Sequence, residues 1–220
     1  MSSRERSEFL KASPPIFESS TLDRFTRVHP ATPIVIFLPA IIVFAAAGVT
    51  DLGVPEGLLG VACGYVVWTI SEYWIHRGLF HFEPETGLGA RLHWMVHGVH
   101  HDHPNDPRRL VMPPIVSIPL GTLFFFAFDG VAGLQTAWSI AAGFFAGYLF
   151  YDMLHFALHH GRPPRGRVGR LLRELHMRHH FDDDRRGFAV SAPWWDVVFR
   201  TYSPKVRRRR PARVGDTPGT

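Results

Sequence analysis

Ten of the fourteen histidines in this 220-residue chain fall into four tight groups: His76/His81, His97/His100/His101, His155/His159 and His176/His179/His180. Imidazole is the common neutral nitrogen ligand for transition metals, and a tetrahedral ion needs only about four protein ligands. Ten are enough for two ions. An α-helix turns about 100° per residue, so positions i, i+3 and i+4 share a face. The H-x-x-H-H spacing of both triplets therefore presents three imidazoles to one side. Adjacent histidines diverge enough to let neighbours serve two nearby metals. His155 and His159, an i, i+4 pair, converge on one point. His76 and His81 are five apart and point apart on an ideal helix, so either the helix ends near Gly78 or the two serve different metals.

Without a metal, ten clustered imidazoles would repel one another on protonation and lack partners when buried; coordination removes both problems. Glu72, one turn before His76, and Asp152, three residues before His155, are placed to accept a ligand's remaining N–H and fix its tautomer. His29, His93, His103 and His160 stand outside the groups and read as structural, and Asp182, Asp183 and Asp184 read as a solvated acidic turn. The single cysteine, Cys63, lies in an apolar run and excludes both a disulfide framework and a Cys-rich zinc site. It reads as an inert core thiol.

The elements that must position these groups are membrane helices. Residues 31–50 and 57–75 are long and apolar enough to cross a hydrocarbon core of about 30 Å, with a tight turn at 51–56. A second pair covers 112–128 and 131–151, joined at Asp129-Gly130, with Pro113, Pro114 and Pro119 crowding its entry. The fold class is an all-α integral membrane protein, with four transmembrane helices in two hairpins and a cytoplasmic helical cap holding the histidine-rich dimetal site. A segment of residues 1–30 precedes a membrane domain of residues 31–203, and 204–220 form a basic disordered tail.

Basic residues set the orientation. Residues 1–30 carry five Lys/Arg, 76–111 four and 152–220 fifteen, and neither hairpin tip carries any. The positive-inside rule then makes both termini and the 76–111 loop cytoplasmic, in a bacterial inner membrane or the endoplasmic reticulum. All ten grouped histidines fall on that face. Residues 168–177 form a helix whose Leu171, Leu172 and Leu175 share a side, while Arg170, Arg173 and Arg178 reach for anionic headgroups. The arginine run 207–210 has no nucleic-acid recognition fold beside it, so it reads as a topogenic, solvated charge run. No apolar signal region precedes the first membrane helix.

The flanking residues carry a resemblance. Glu72-Tyr73-Trp74-Ile75-His76-Arg77-Gly78-Leu79-Phe80-His81, then His97-Gly98-Val99-His100-His101 with Pro104, Asp106 and Arg109-Leu110-Val111 before Pro113-Pro114, resemble the fatty acid 2-hydroxylases of the membrane fatty acid hydroxylase and sterol desaturase superfamily. Tyr151-Asp152-Met153, His176-x-x-His179-His180-Phe181, Gly187-Phe188, Ser191, Trp195-Asp196, Phe199 and Thr201 continue the similarity, which spans about residues 65–203. The resemblance implies two iron ions, O2 as co-substrate and hydroxylation at C2 of a fatty acyl chain, commonly that of a sphingolipid. Zinc can occupy such a site in purified protein. Relatives often carry a fused cytochrome b5 domain; here a separate electron donor of cytochrome b5, ferredoxin or reductase type is expected.

Attack on an alkyl C–H needs an oxidant that side chains do not supply, so a redox metal and O2 are required. Zinc lacks redox chemistry, whereas an imidazole-rich site also suits iron. The histidines alone leave open another oxidase of the superfamily, acting on a carotenoid or sterol, and a non-enzymatic metal-binding or transport protein. Transport sites usually lie at the bilayer midplane, where this chain has no series of ionisable residues.

Overall fold

Two short helices, α1 (Ser3–Leu10) and α2 (Ser20–Arg24), precede the long apolar ones. Each begins at a serine whose side chain accepts a backbone N–H, Ser2 from Glu5 and Ser19 from Leu22. A computed structural model of the chain describes residues 2–82 and 84–204. In it α3 (Thr32–Leu52) and α4 (Val54–Trp74) form one hairpin, and α7 (Pro114–Ala132) and α8 (Leu134–His160) the other. Between the hairpins lie α5 (Gly87–His93) and α6 (Val99–Asp102), and after them α9 (Arg167–Phe181) and α10 (Trp194–Val198).

The four long helices are each long and apolar enough to cross a membrane. Their reversals differ in detail from the sequence expectation. Gly53 (φ 88°) and Gly133 (φ 78°) turn the chain, because that backbone region favours glycine. Asp129, expected at the second turn, instead stays helical and its carbonyl accepts the Gly133 N–H at 2.8 Å. The apolar spans also run on beyond the expected 57–75 and 131–151, to Phe80 and to His160. Helix rather than loop therefore carries His76, His155 and His159 into the site.

α8 is the central helix: 56% of its membrane window is buried, against 11% for α7. It packs on α4 and α3 as well as its hairpin partner. The approach to α4 is at backbone contact, since a Cβ on Gly143 would stand 1.8 Å from the Val61 carbonyl oxygen, and one on Gly64 would stand 1.9 Å from that of Ile140. Small residues permit such close helix packing in membranes, where dispersion replaces the hydrophobic drive. Around that seam Phe37, Trp68, Phe144, Tyr148 and Tyr151 build an aromatic core. The two helices that supply His76, His155 and His159 are thus locked together.

Two expectations about single residues are corrected. Cys63 is exposed on the outer face of α4 rather than buried in the core. Arg178 is buried, donates to the Ser203 carbonyl at 2.8 Å and pairs with Glu174, so it braces the cap instead of meeting headgroups. The expected basic tail lies, from residue 205 onward, outside the described residues.

Candidate metal centre

α4 does not stop at Trp74. It passes into a π turn over Ile75–Phe80, closed by the His81 N–H donating to the His76 carbonyl at 3.0 Å. In a π turn the bonded partners are i and i+5, so the wider coil brings His76 and His81 toward one side, where an α-helix would separate them by about 140°. A second π turn, Trp94–Gly98, carries His97 and runs into α6 with His100 and His101. α8 supplies His155 and His159, and α9 supplies His176, His179 and His180.

These ten residues sort into two groups of five. His76, His81, His97, His101 and His179 form one; His100, His155, His159, His176 and His180 form the other, with one ligand-capable atom from each residue within 4.8 Å of the rest of its group. The triplets His97/His100/His101 and His176/His179/His180 each divide between the groups, because neighbouring imidazoles diverge around the helix. His29, His93, His103 and His160 belong to neither.

The ring nitrogens face one another. In the first group Nε2–Nε2 distances are 3.1 Å for His76–His97, 3.1 Å for His81–His179 and 2.9 Å for His97–His101. In the second they are 3.1 Å for His100–His180, 2.8 Å for His159–His176 and 3.2 Å for His176–His180. Nitrogens that share one ion at about 2.0–2.1 Å stand about 3 Å apart when they are neighbours around it, so these separations fit a shared cation.

Tautomers strengthen the fit. His76 Nδ1 donates to the Phe188 carbonyl at 2.6 Å and His179 Nδ1 to that of Arg186 at 2.8 Å, since a carbonyl can only accept. Their Nε2 atoms therefore aim lone pairs into the first group. In the second group His155 Nε2 is buried with no hydrogen-bond partner among the described residues. Protons are a poor substitute for a metal here. Burial first, then neighbouring imidazoles, holds His97, His100, His176 and His180 well below the usual histidine range. Burial likewise brings His81 to about 3 and His101 to about 2. A buried set of neutral imidazoles with converging lone pairs is a metal-ligand set in its chemistry.

The carboxylates expected beside the histidines take other partners. Glu72 accepts from the Ser191 amide at 2.7 Å and from its hydroxyl, and Asp152 accepts from the Tyr148 hydroxyl at 3.1 Å. Among the described residues neither is hydrogen-bonded to a histidine. For His76 and His179 the backbone takes that role, because the strap 186–191 crosses the first group and its carbonyls reach both rings directly. Asp196 holds that strap by accepting the amides of Phe188 at 2.9 Å and Ala189 at 3.0 Å, and Glu72 anchors its far end. Asp196→Ala should lower metal affinity roughly 10–100-fold by loosening the carbonyl that orients His76. Metal bound per folded protein in the purified variant checks this.

Residues 61–201 match the sequence profile of the fatty acid hydroxylase family. The chain belongs to that family. This fatty acid hydroxylase is 35% identical over 193 residues to the dihydroceramide fatty acyl 2-hydroxylase FAH1 of Arabidopsis thaliana, covering 87% of this chain and 81% of the plant protein. It is 39% identical over 145 residues to the mouse (Mus musculus) fatty acid 2-hydroxylase, covering 64% of this chain and 39% of that longer protein. Its structure resembles the hydroxylase domain of full-length Scs7p with a TM-score of 0.83 at 34% identity, covering 88% of this chain and 74% of the other. The chain is thus a membrane-spanning oxidoreductase, as its motifs predict.

Beside the histidines this hydroxylase has an apolar chamber of about 290 Å³. His97, His100 and His155 form its inner wall, with Phe80, Tyr151 and Asp152. Val99, Leu110, Val111, Met112 and Val116 line its apolar side, and its cover comes from the N-terminal segment through Ile16, Phe17, Leu22, Phe25 and Thr26. Sequence reasoning assigned no role to that segment, whose apolar residues are scattered through a polar stretch. Their partners are remote in sequence and only the folded chain brings them together.

Proposed function

We propose that this hydroxylase inserts one oxygen from O2 at C2 of a fatty acyl chain, with two iron ions as its resident cofactor and the N-acyl chain of a sphingolipid or ceramide as its substrate class. His76, His81, His97, His101 and His179 would hold one ion, and His100, His155, His159, His176 and His180 the other. Bound iron supplies what side chains cannot, the reductive activation of O2 needed to break an unactivated C–H bond.

The observation that carries this reading is the chamber that joins apolar walls directly to His97, His100 and His155. An acyl chain is the ligand such a surface accepts, because burying methylenes there gains about 0.8 kcal/mol each. The names of the relatives, which include dihydroceramide and ceramide hydroxylases, support the sphingolipid class. Within the site the protein's own residues do three things. The Phe188 and Arg186 carbonyls hold His76 and His179 in the tautomer that presents Nε2 inward. Phe80 stacks on His97 with ring centroids 5.0 Å apart and keeps water from that ring. Asp152, hydrogen-bonded to Tyr148, sits in the chamber wall and stiffens it beside the histidines.

The distribution of basic residues supports a cytoplasmic location for both termini and for the metal centre. Electrons would arrive from a separate donor, a cytochrome b5, ferredoxin or reductase, at that face. The test is oxygen-18 labelling of cells that express the chain, with mass spectrometry of total lipids. One labelled oxygen at C2 of acyl chains is expected. A labelled sterol or carotenoid beside unlabelled acyl chains would overturn the reading.

A further inference from the structure

Arg109 is the one lysine or arginine among the described residues that line the chamber. Its side chain is only 3% exposed, and Nη2 donates to Asp23 Oδ1 on α2 at 3.1 Å. Nε and Nη1 have no hydrogen-bond partner among the described residues, and Asp106 Oδ2 stands 4.0 Å from Nε, too far to accept. A buried guanidinium with idle N–H groups is costly, since burial strips their water without replacing it. Such a group in the wall of a substrate chamber is a ligand contact waiting for its acceptor.

The surrounding charges say which acceptor. Asp23 pairs with both Arg27 and Arg109, and Asp106 lies beside Arg109, so two arginines face two carboxylates. The cluster is neutral as it stands. A free carboxylate would bring a third anion against Asp23 and Asp106, whereas an uncharged oxygen meets Nη1 without that repulsion.

We propose that Arg109 is a substrate-binding residue whose Nη1 donates to an uncharged oxygen at the polar end of the acyl lipid, an amide or ester carbonyl or a hydroxyl near C1. That contact fixes how far the chain enters the chamber and so which carbon meets the histidine groups. The inference rests on the acyl hydroxylase reading above and adds the residue that sets the position of attack.

A cycle of variants of the full chain, iron-loaded and assayed with an N-acyl sphingoid lipid in nanodiscs, separates this from a purely structural ion pair. Asp23→Asn removes the ion pair first, and Arg109→Gln is then added to it. If Arg109 only pins α2, the added change has no further effect. If it binds substrate, KM rises about tenfold or more above that of Asp23→Asn alone, and hydroxylation spreads from C2 to C3 and later carbons, with iron content unchanged. Arg109→Lys in the native background keeps the charge opposite Asp23 but lacks the planar fork, and the same spread of products is expected from it. Native KM and pure C2 product in Arg109→Lys, or a double variant identical to Asp23→Asn, would overturn the proposal. Absence of a 2-hydroxyacyl product from the unmodified chain would instead remove the acyl hydroxylase reading itself.

Discussion

His179→Ala should abolish formation of 2-hydroxyacyl product while leaving the protein in the membrane fraction. His179 is fully buried, its Nδ1 is fixed by the Arg186 carbonyl, and its Nε2 faces His81 at 3.1 Å. Its loss removes one of five converging nitrogens and leaves the Arg186 carbonyl without its donor. Residues that merely orient a ligand cost roughly 10–100-fold when removed, so the loss of a ligand should exceed that range. Membrane insertion rests on the four apolar spans, none of which contains His179, and survives. His29→Ala, outside both groups, should retain full activity. Quantifying product by mass spectrometry against membrane-fraction protein decides the matter, and substantial hydroxylation by His179→Ala would contradict its role.

Inserting one alanine between Gly78 and Leu79 should be equally damaging, although it removes no functional atom. The π turn aligns His76 with His81 only because their separation is five residues. An added residue swings His81 around the helix axis, away from His97, His101 and His179. The second group draws no residue from α4, so it should keep its ion while the first loses its own, halving iron per chain. Gly78→Ala is the matched control. A Cβ there meets nothing within 4 Å, so that variant should keep both iron and activity. An active insertion variant would show that the register of this turn is irrelevant.

The same turn marks where the sequence stopped being legible. Four apolar spans, the hairpin pairing and the grouping of histidines could be read directly, because hydropathy and helical spacing are local properties. The divergence of adjacent histidines in H-x-x-H-H also follows from the α period, and the structure does divide each triplet between two groups. His76 and His81 resisted because the α period was the wrong ruler for them: nothing in Ile75–Phe80 announces a π turn, whose two histidines meet His97, His101 and His179. Glu72 stood at plausible spacing for orienting His76, yet the Phe188 carbonyl, in a strap more than a hundred residues downstream, took that place. The chamber's cover was equally hidden, since Ile16, Phe17 and Phe25 acquire meaning only when α2 folds back onto Arg109. Local periodicity exposed the donors, and tertiary contact supplied their orientation and the apolar wall beside them.

In the proposed reaction each histidine group holds one iron ion, and both ions are needed for hydroxylation. Reconstitution of the purified chain with iron-57, followed by Mössbauer spectroscopy and iron analysis of the same turning-over sample, addresses it most directly. One iron per histidine group is expected, with spectra of nitrogen-rich sites that change when the reduced protein meets O2. A single iron per chain at full activity, or full activity with zinc alone, would contradict it.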